Sequence, residues 1–188
     1  MDDGVPVDAD VDVAERLPSA DHPVVRDEAT LCYPLRAELP VAPDEELLMI
    51  RKRRGLGADL YNGPGGKVEP DETPAEAAVR ETNEETGVDV GAVEKRGEFD
   101  FFFGDDHVFC CHVYVATGVS GEPEETPEAF PEWRARKDVP YDEMWEDDVL
   151  WLPHVLDGET VRAVFYFDAD GDDLLEHEVA VDVTLEDA

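Results

Sequence analysis

Three glutamates, Glu81, Glu84 and Glu85, stand close together in the segment of residues 65–88. On a helix they occupy positions i, i+3 and i+4, which places the three carboxylates on one face. Like charges at this spacing repel one another unless a cation lies among them, and Mg²⁺ prefers oxygen ligands while it bridges to phosphate groups. The pattern therefore predicts a magnesium site that acts on a phosphate-containing substrate, with Mn²⁺ as the alternative ion.

The neighbours of these glutamates are residue types that such a site needs. Arg80 can orient a glutamate through a charge-assisted hydrogen bond, and Glu72, in the loop before the helix, can return toward the same site. Gly65 and Gly66 allow the backbone to approach a metal ion or a phosphate closely.

The alternative is a solvated acidic face, because the chain has 49 acidic residues among 188. The full pattern argues against it, since its seven positions would coincide by chance in roughly 10⁻⁴ to 10⁻³ of chains this acidic. Those positions are Gly66, Glu72, Arg80, Glu81, Glu84, Glu85 and Gly87.

The helix that carries the glutamates has clear start and end signals. Thr73 is a typical N-cap, Pro74 suits the first helical position, and Glu76 closes a capping box with Thr73. Gly87 is a typical C-terminal stop. We expect an apolar stripe of this helix to pack on a sheet. The stripe consists of Ala75, Ala78, Val79 and Thr82.

Apolar runs on both sides of this helix predict strands. They are ATLCYPL, ELLMIRKR, KRGEFDFFFG, HVFCCHVYVATG and EWRAR, followed by a short helix in MWEDDVLWLPHVLDG and a hairpin in RAVFYFDADGDDLLEHEVAVDV. KRGEFDFFFG and HVFCCHVYVATG should form an antiparallel pair that turns at GDD. Strands interleaved with two helices predict an α/β domain with a mixed sheet covered on both faces. We assign residues 28–188 to this domain and residues 1–27 to a loosely attached acidic extension.

The chain has a formal net charge of −34, from 49 acidic and 15 basic residues. This charge limits which partners the protein can bind and which salt concentration suits it. A surface this acidic repels nucleic acid polymers. The charge destabilises the compact state in dilute salt, whereas near 1 M salt the Debye length falls to about 3 Å and screens it. The charge therefore predicts a cytoplasm rich in salt.

Several classes of protein are disfavoured by what the sequence lacks. Its apolar runs are far shorter than the roughly 20 residues needed to cross a bilayer, and its acidic first residues do not resemble a secretory signal. Three cysteines cannot form a disulfide framework, and the five histidines show no zinc-site spacing. We therefore expect a cytoplasmic monomer with reduced core thiols and no membrane partner.

Residues 66–88 match the Nudix box, G-x5-E-x7-R-E-U-x-E-E-x-G-U with U apolar, and only Thr82 departs from it. The chain thus resembles the Nudix hydrolases. The resemblance implies an α/β/α sandwich and hydrolysis by water that a metal ion activates for attack on a bridging phosphorus. The catalytic residues that it implies are Glu72, Arg80, Glu81, Glu84 and Glu85. The metal site that it implies contains Glu81, Glu84, Glu85, Gly65 and Glu128.

From about residue 29 to residue 183 the chain is similar to the MutT-like oxidised purine nucleoside triphosphate hydrolases. The segments that carry this likeness are KRRGLGADLYNGPGGKV, HVFCCHVYVA and DEMWEDDVLWLP. The resemblance implies that the chain converts an oxidised purine triphosphate such as 8-oxo-dGTP to the monophosphate and pyrophosphate, which would cleanse the nucleotide pool and limit DNA damage.

The same resemblance implies a base pocket. Asn62 becomes a base-reading amide, Asp147 and Asp148 an acidic pair on the purine edge, and Trp145 a stacking wall. Two neighbouring carboxylates that face one apolar pocket do not ionise together easily, so one of them can hold a proton and donate while the other accepts. Further pocket or phosphate-side positions are Thr30, Lys52, Phe101 and Phe103.

These pocket residues also have plainer interpretations. Four aromatic residues could belong to the core, the two aspartates could cap a helix, and Asn62 could form a turn with Gly63. The four aromatic residues are Phe101, Phe103, Trp145 and Trp151.

Three other functions share the box and stay open at this point. The first is a Nudix pyrophosphatase for ADP-ribose or a dinucleoside polyphosphate. The second is an isopentenyl-diphosphate isomerase, which would need Cys110 or Cys111 as a catalytic thiol. The third is a non-catalytic nucleotide-binding module, although such modules usually lack some of the box glutamates, all of which are present here.

Overall fold

The computed structural model describes residues 27–104 and 106–186, and within these residues the chain forms eight strands and two α-helices. The strands are β1 (Asp27–Pro34), β2 (Glu46–Lys52), β3 (Tyr61–Asn62), β4 (Ala92–Phe103), β5 (Asp106–Thr117), β6 (Ala129–Ala135), β7 (Val161–Phe167) and β8 (Leu174–Val181). The helices are α1 (Pro74–Thr86) and α2 (Asp148–Leu156), and two short 3₁₀ helices, Arg136–Asp138 and Tyr141–Glu143, precede α2. Every predicted strand and helix is present, whereas β3 was not predicted because a two-residue strand shows no periodicity.

The strands form two sheets among the described residues. The larger is mixed, in the order β1-β5-β4-β7-β8, with parallel pairing of β1 to β5 and of β4 to β7. The smaller is antiparallel, in the order β3-β2-β6. A single bridge between Leu35 and Leu47 links them. The predicted mixed sheet and the β4–β5 hairpin are confirmed, and the smaller sheet is a separate unit beside them.

The ends of α1 lie where the capping signals place them. The Glu76 amide donates to Oγ1 of Thr73 across 3.2 Å, and the Thr73 amide donates to Oε2 of Glu76 across 2.8 Å. Gly87 ends the helix with a φ of 75°, in the left-handed region that favours glycine. Residues within a single turn therefore set each end of the helix that carries the glutamates: side-chain capping at the start and a glycine at the end.

The buried face of α1 is rotated from the predicted stripe. Ala78 and Thr82 are buried as expected, but Ala75 and Val79 are only half-buried. The other buried residues of the helix are Pro74, Ala77, Glu85 and Thr86. Ala75 nevertheless packs against the buried cluster that contains Cys32 and Tyr114 of the sheet, so the predicted stripe is confirmed except at Val79. The packing of α1 against β1 also carries one of the three glutamates, Glu85, into the interior.

The main core lies between the larger sheet and α2. Trp151 of α2 is buried and packs against Phe99 of β4, with ring centroids 4.8 Å apart, and against Tyr33 of β1 at 6.0 Å. Phe99 in turn meets Phe165 of β7 edge to face. Burial of these rings anchors α2 on the sheet. Of the aromatic residues with two interpretations, Trp151 belongs to the core.

The described residues begin close to the predicted domain start. β1 begins at Asp27, one residue before the predicted domain start, and residues 1–26 of the predicted extension lie outside the described residues. The three cysteines are all buried, and none forms a disulfide within the described chain. No helix in the described ranges has the length and apolar character needed to span a membrane.

Candidate active site

Arg80 is the centre of a charged network on α1. Its Nε donates to Oε2 of Glu72 at 3.0 Å and its Nη2 donates to Oε1 of the same carboxylate at 2.6 Å, a two-point contact. Its Nη1 donates to Glu81 at 2.7 Å and to Glu84 at 3.3 Å. The hydrogen bond from Arg80 lowers the pKa of Glu72, and the contact with Glu72 in turn raises the pKa of Arg80. Arg80 thus orients two α1 glutamates and ties the loop at Glu72 to them.

The three α1 glutamates lie at very different depths. Glu84 is 59% exposed and Glu81 only 15%, while Glu85 is buried and accepts a hydrogen bond from the amide of Gly65 at 2.8 Å. Burial raises the pKa of Glu85 to about 7, although the Gly65 hydrogen bond and the positive charge of Lys52 oppose the rise. A carboxylate this buried is stabilised by positive charge at the same point.

Gly65 and Gly66, which we call the glycine loop, lie against these carboxylates. A Cβ on Gly66 would lie 2.5 Å from the Glu81 carboxylate, and one on Gly65 would lie 2.0 Å from the carbonyl oxygen of Thr30. The loop is held there because the Thr30 amide donates to the Gly66 carbonyl at 2.8 Å. Only glycine permits this approach of backbone to carboxylate.

The candidate metal ligands gathered here are oxygen atoms, which suits a hard divalent cation. Glu81, Glu85 and the Gly65 backbone lie together, and Glu84 lies on the exposed side of the same helix. Within the described ranges, however, no three His, Cys, Asp or Glu side chains form a ready-made metal cage, and Arg80 contacts both Glu81 and Glu84. The donor set fits a divalent cation provided that these two carboxylates turn from Arg80 toward it.

Glu128, the fifth predicted metal residue, is exposed and pairs with Arg54. Its charge is one of those that raise the pKa of Glu85, after burial itself and the charge of Glu81. Glu128 is therefore close enough to Glu85 to repel it, but its carboxylate is held by an arginine that was not among the predicted site residues.

A cavity of about 290 Å³ begins at this glycine loop. All eight residues that were predicted to bind substrate line it: Thr30, Lys52, Asn62, Phe101, Phe103, Trp145, Asp147 and Asp148. Gly65 and Gly66 line it as well, so one continuous space joins the predicted base pocket to the two glycines that adjoin Glu85 and Glu81. The structure thus brings together residues that are more than 100 positions apart in the chain.

Aromatic rings form the walls of the cavity. Trp145 meets Phe103 edge to face with ring centroids 6.3 Å apart, and Phe101 stacks on Phe109 at 4.9 Å. Phe109 and Cys111 line the cavity but were not predicted to do so. The signal was available, since Phe109 lies directly opposite Phe101 in the β4–β5 register and Cys111 is two residues further along the same face.

Asp147 and Asp148 line the cavity and are each only 2% exposed. Trp151 donates from Nε1 to Oδ2 of Asp147 at 2.9 Å, and the Trp145 amide donates to Oδ2 of Asp148 at 3.0 Å. Oδ1 of Asp147 is buried without a hydrogen-bond partner in the described part of the chain. Although Asp147 occupies the N-cap position of α2, its side chain makes no capping hydrogen bond, so the helix-cap interpretation does not account for it.

The two carboxyls also affect one another's protonation. Burial raises the pKa of Asp147 to about 6, and burial together with the charge of Asp147 raises the pKa of Asp148 well above its ordinary range. Burial and mutual repulsion therefore favour a pair that carries one proton, which offers a donor and an acceptor at once.

Asn62 and Thr30 complete the polar lining. Oδ1 of Asn62 accepts from the hydroxyl of Tyr33 at 3.0 Å and from the amide of Gly63 at 2.8 Å. Its amide NH₂ donates to none of the described residues, so the donor side of the group is available to a ligand. The Thr30 hydroxyl is buried and has no hydrogen-bond partner among the residues that the structure describes.

The chain is similar to known proteins over most of its length. The NUDIX domain family matches residues 35–157. The oxidized purine nucleoside triphosphate hydrolase of Danio rerio is 39% identical over 143 residues, which cover 75% of this chain and 90% of the relative. The protein of that name from Mus musculus is 35% identical over 128 residues, which cover 68% and 82%.

Among solved structures, a MutT protein from Bacillus halodurans is similar with a TM-score of 0.67 and 28% identity, over 81% of this chain and 97% of that one. These similarities confirm the predicted fold class and the resemblance that the box suggested. The chain, with its capped acidic helix and glycine loop, belongs to the Nudix hydrolase family.

Proposed function

We propose that this protein hydrolyses oxidised purine nucleoside triphosphates of the 8-oxo-dGTP type to the monophosphate and pyrophosphate, and so removes them from the nucleotide pool. The observation that carries the proposal is the single cavity that runs from Asp147 and Asp148 to the glycine loop beside Glu81 and Glu85. A purine fits the part of the cavity that is lined by aromatic rings and by Asp147 and Asp148. Its phosphates then lie near the glutamates of α1. The names of the relatives from Danio rerio and Mus musculus support the same substrate class.

Base recognition is assigned to the acidic pair, Asn62 and the aromatic walls. A pair that carries one proton offers both a donor and an acceptor, so it can satisfy purine edges with different hydrogen-bond patterns. Asn62 adds a donor, and the face of Trp145 can stack on the base. This combination suits a site that accepts more than one oxidised purine.

The phosphate end is assigned to the glutamates and Lys52. Glu81, Glu84 and Glu85, with Gly65 and Glu128, would hold Mg²⁺ or Mn²⁺, which when bound polarises a phosphate and activates water. Arg80 holds Glu81 and Glu84 until a bound cation draws them toward it, and Lys52 offsets negative charge beside Glu85. Water adds to phosphorus, the bridging P–O bond breaks, and the two products are the nucleoside monophosphate and pyrophosphate.

A substrate panel in molar KCl with Mg²⁺ tests this function. The panel contains 8-oxo-dGTP, dGTP, ADP-ribose and a dinucleoside polyphosphate, and both pyrophosphate and monophosphate release are measured. We expect the oxidised triphosphate to have the highest kcat/KM, with pyrophosphate as product. Faster turnover of ADP-ribose or of the dinucleoside polyphosphate would reject the assignment to oxidised purines while leaving hydrolysis intact.

We also propose that the protein acts as a monomer in a salt-rich cytoplasm. The formal net charge of −34 supports this setting, because such a surface is self-repelling in dilute buffer and screened at high ionic strength. The same charge disfavours nucleic acid polymers as partners. Light scattering across a salt series measures both the association state and the compactness that the proposal requires.

A further inference from the structure

A run of four basic residues, 51–54, lies where β2 ends and the loop to β3 begins. These are four of the 15 Lys and Arg residues in a chain with a net charge of −34. One of them, Lys52, lines the cavity. Most of the surface repels a triphosphate, so a positive side chain close to the cavity and to the glutamates of α1 is where its phosphates can be attracted.

Arg53 and Arg54 differ in what holds them. Arg53 donates to the carbonyl of Thr126 at 3.0 Å and to the carboxylate of Glu125 at 2.6 Å, so it fastens the loop before β6. Arg54 contacts the carboxylate of Glu128, its one hydrogen-bond partner among the described residues. The Arg54 and Glu128 side chains are 65% and 48% exposed. Such an exposed ion pair is weak and can exchange its partner.

Glu128 is placed beside the glutamates of α1. The Thr126 hydroxyl donates to the carbonyl of Glu85 at 3.3 Å and accepts from the amide of Glu128 at 3.3 Å, which anchors this loop to the end of α1. Through Glu128, Arg54 therefore lies near the end of α1 that carries Glu85.

We infer that Arg54 is a phosphate-binding residue that exchanges Glu128 for the β- and γ-phosphates of the substrate, the part that leaves as pyrophosphate. The planar guanidinium can donate to two phosphate oxygens at once, a contact that no lysine reproduces. When Arg54 turns to phosphate, Glu128 is released to face the glutamates of α1. The inference rests on the proposed hydrolysis of triphosphates.

Calorimetric binding of inorganic pyrophosphate to the full chain, in the presence of Mg²⁺, tests the contact. Arg54→Gln should weaken binding ~10-fold because a charge-assisted two-point contact is lost. Arg54→Lys should recover only part of the loss, since it restores the charge without the planar donors.

Arg51→Gln is the matched control, because it removes the same charge from the same run. Its guanidinium lies over the ring of Tyr61, 5.9 Å from the centroid, and donates to the carbonyl of Asp59 at 3.2 Å. Pyrophosphate binding should stay within about twofold of wild type in this variant. Unchanged binding in Arg54→Gln, or an equal loss in Arg51→Gln, overturns the inference.

A different result would reject the proposed function. A wild-type protein that releases no pyrophosphate from any oxidised purine triphosphate rejects the function, whereas binding of inorganic pyrophosphate requires no turnover. Because the Arg54 side chain is exposed, thermal unfolding of Arg54→Gln should match wild type, which separates lost contact from lost fold.

Discussion

The indole Nε1 of Trp151 donates to Oδ2 of Asp147 across 2.9 Å, and this hydrogen bond fixes a carboxyl that lines the cavity. Trp151 is itself held by the core rings Phe99 and Tyr33. The other oxygen of Asp147 has no partner among the described residues. A core residue thus fixes a cavity-lining carboxyl that has an unsatisfied oxygen, so the fold and the proposed recognition of the base depend on the same contact.

Asp147→Asn should stabilise the fold at neutral pH. A carboxyl whose pKa is raised on folding binds its proton more tightly in the folded state, so stability falls as pH rises from the unfolded value near 3.9 through the folded value of about 6. The variant avoids this loss and should exceed wild type by about 1–2 kcal/mol above that window. Denaturant unfolding at several pH values measures the difference.

Asp142→Asn is the control for that experiment, because it makes the same chemical change at an exposed position. Its stability difference from wild type should be small and nearly independent of pH. If Asp147→Asn followed the same curve as Asp142→Asn, the raised pKa of the buried pair would be contradicted.

Glu84→Gln should lower turnover at least ~100-fold while leaving the fold intact, since a metal ligand acts mainly in the transition state. Glu76→Gln removes one negative charge from the same helix but keeps a capping-box acceptor, so it should retain near wild-type activity. Steady-state kinetics and circular dichroism check the pair. Equal kinetics in the two variants would reject the metal assignment of Glu84.

Gly66→Ala should mainly reduce activity, whereas Gly65→Ala should mainly reduce stability. The new methyl at position 66 meets the end of the Glu81 side chain, which can move, so activity should fall more than ~10-fold with little loss of stability. At position 65 it meets the Thr30 backbone, which cannot move easily, and unfolding should be favoured by about 2–4 kcal/mol. Equal stability of the two variants, measured by thermal unfolding, would contradict this account.

Trp145→Leu should weaken binding of the oxidised monophosphate product by roughly 10-fold or more, because a stacked aromatic contributes about 1–3 kcal/mol per base. Phe102→Leu is the comparison, since Phe102 stacks on Tyr166, with ring centroids 5.0 Å apart, and does not line the cavity. Titration by intrinsic fluorescence or calorimetry gives both affinities. A similar loss in both variants would indicate general destabilisation rather than stacking.

The free energy of unfolding should rise between about 0.1 and 2 M KCl, because salt screens the repulsion among acidic residues. The gain should be greatest at neutral pH and shrink as carboxylates are protonated toward pH 4 or so. Denaturation in urea, which adds no charge, measures the trend. Stability that is independent of KCl would remove the argument for a salt-rich cytoplasm.

The sequence by itself determined the parts of this protein that depend on neighbours within one or two helical turns. Thr73, Glu76 and Gly87 set the ends of α1 through capping chemistry, and the helical period places Glu81 and Glu84 on one face. Alternating apolar residues were likewise sufficient to predict the β4–β5 hairpin. The residues of the base pocket came from resemblance, and the structure places them around one cavity.

Only the tertiary structure decided how deeply each of these groups is buried and what it meets. Glu84 and Glu85 are adjacent in sequence, yet α1 packs so that one is exposed and the other interior. Arg54 likewise meets Glu128 across 74 residues of chain. Burial, shifted pKa values and distant ion pairs arise from the packing of remote segments, which no local periodicity encodes.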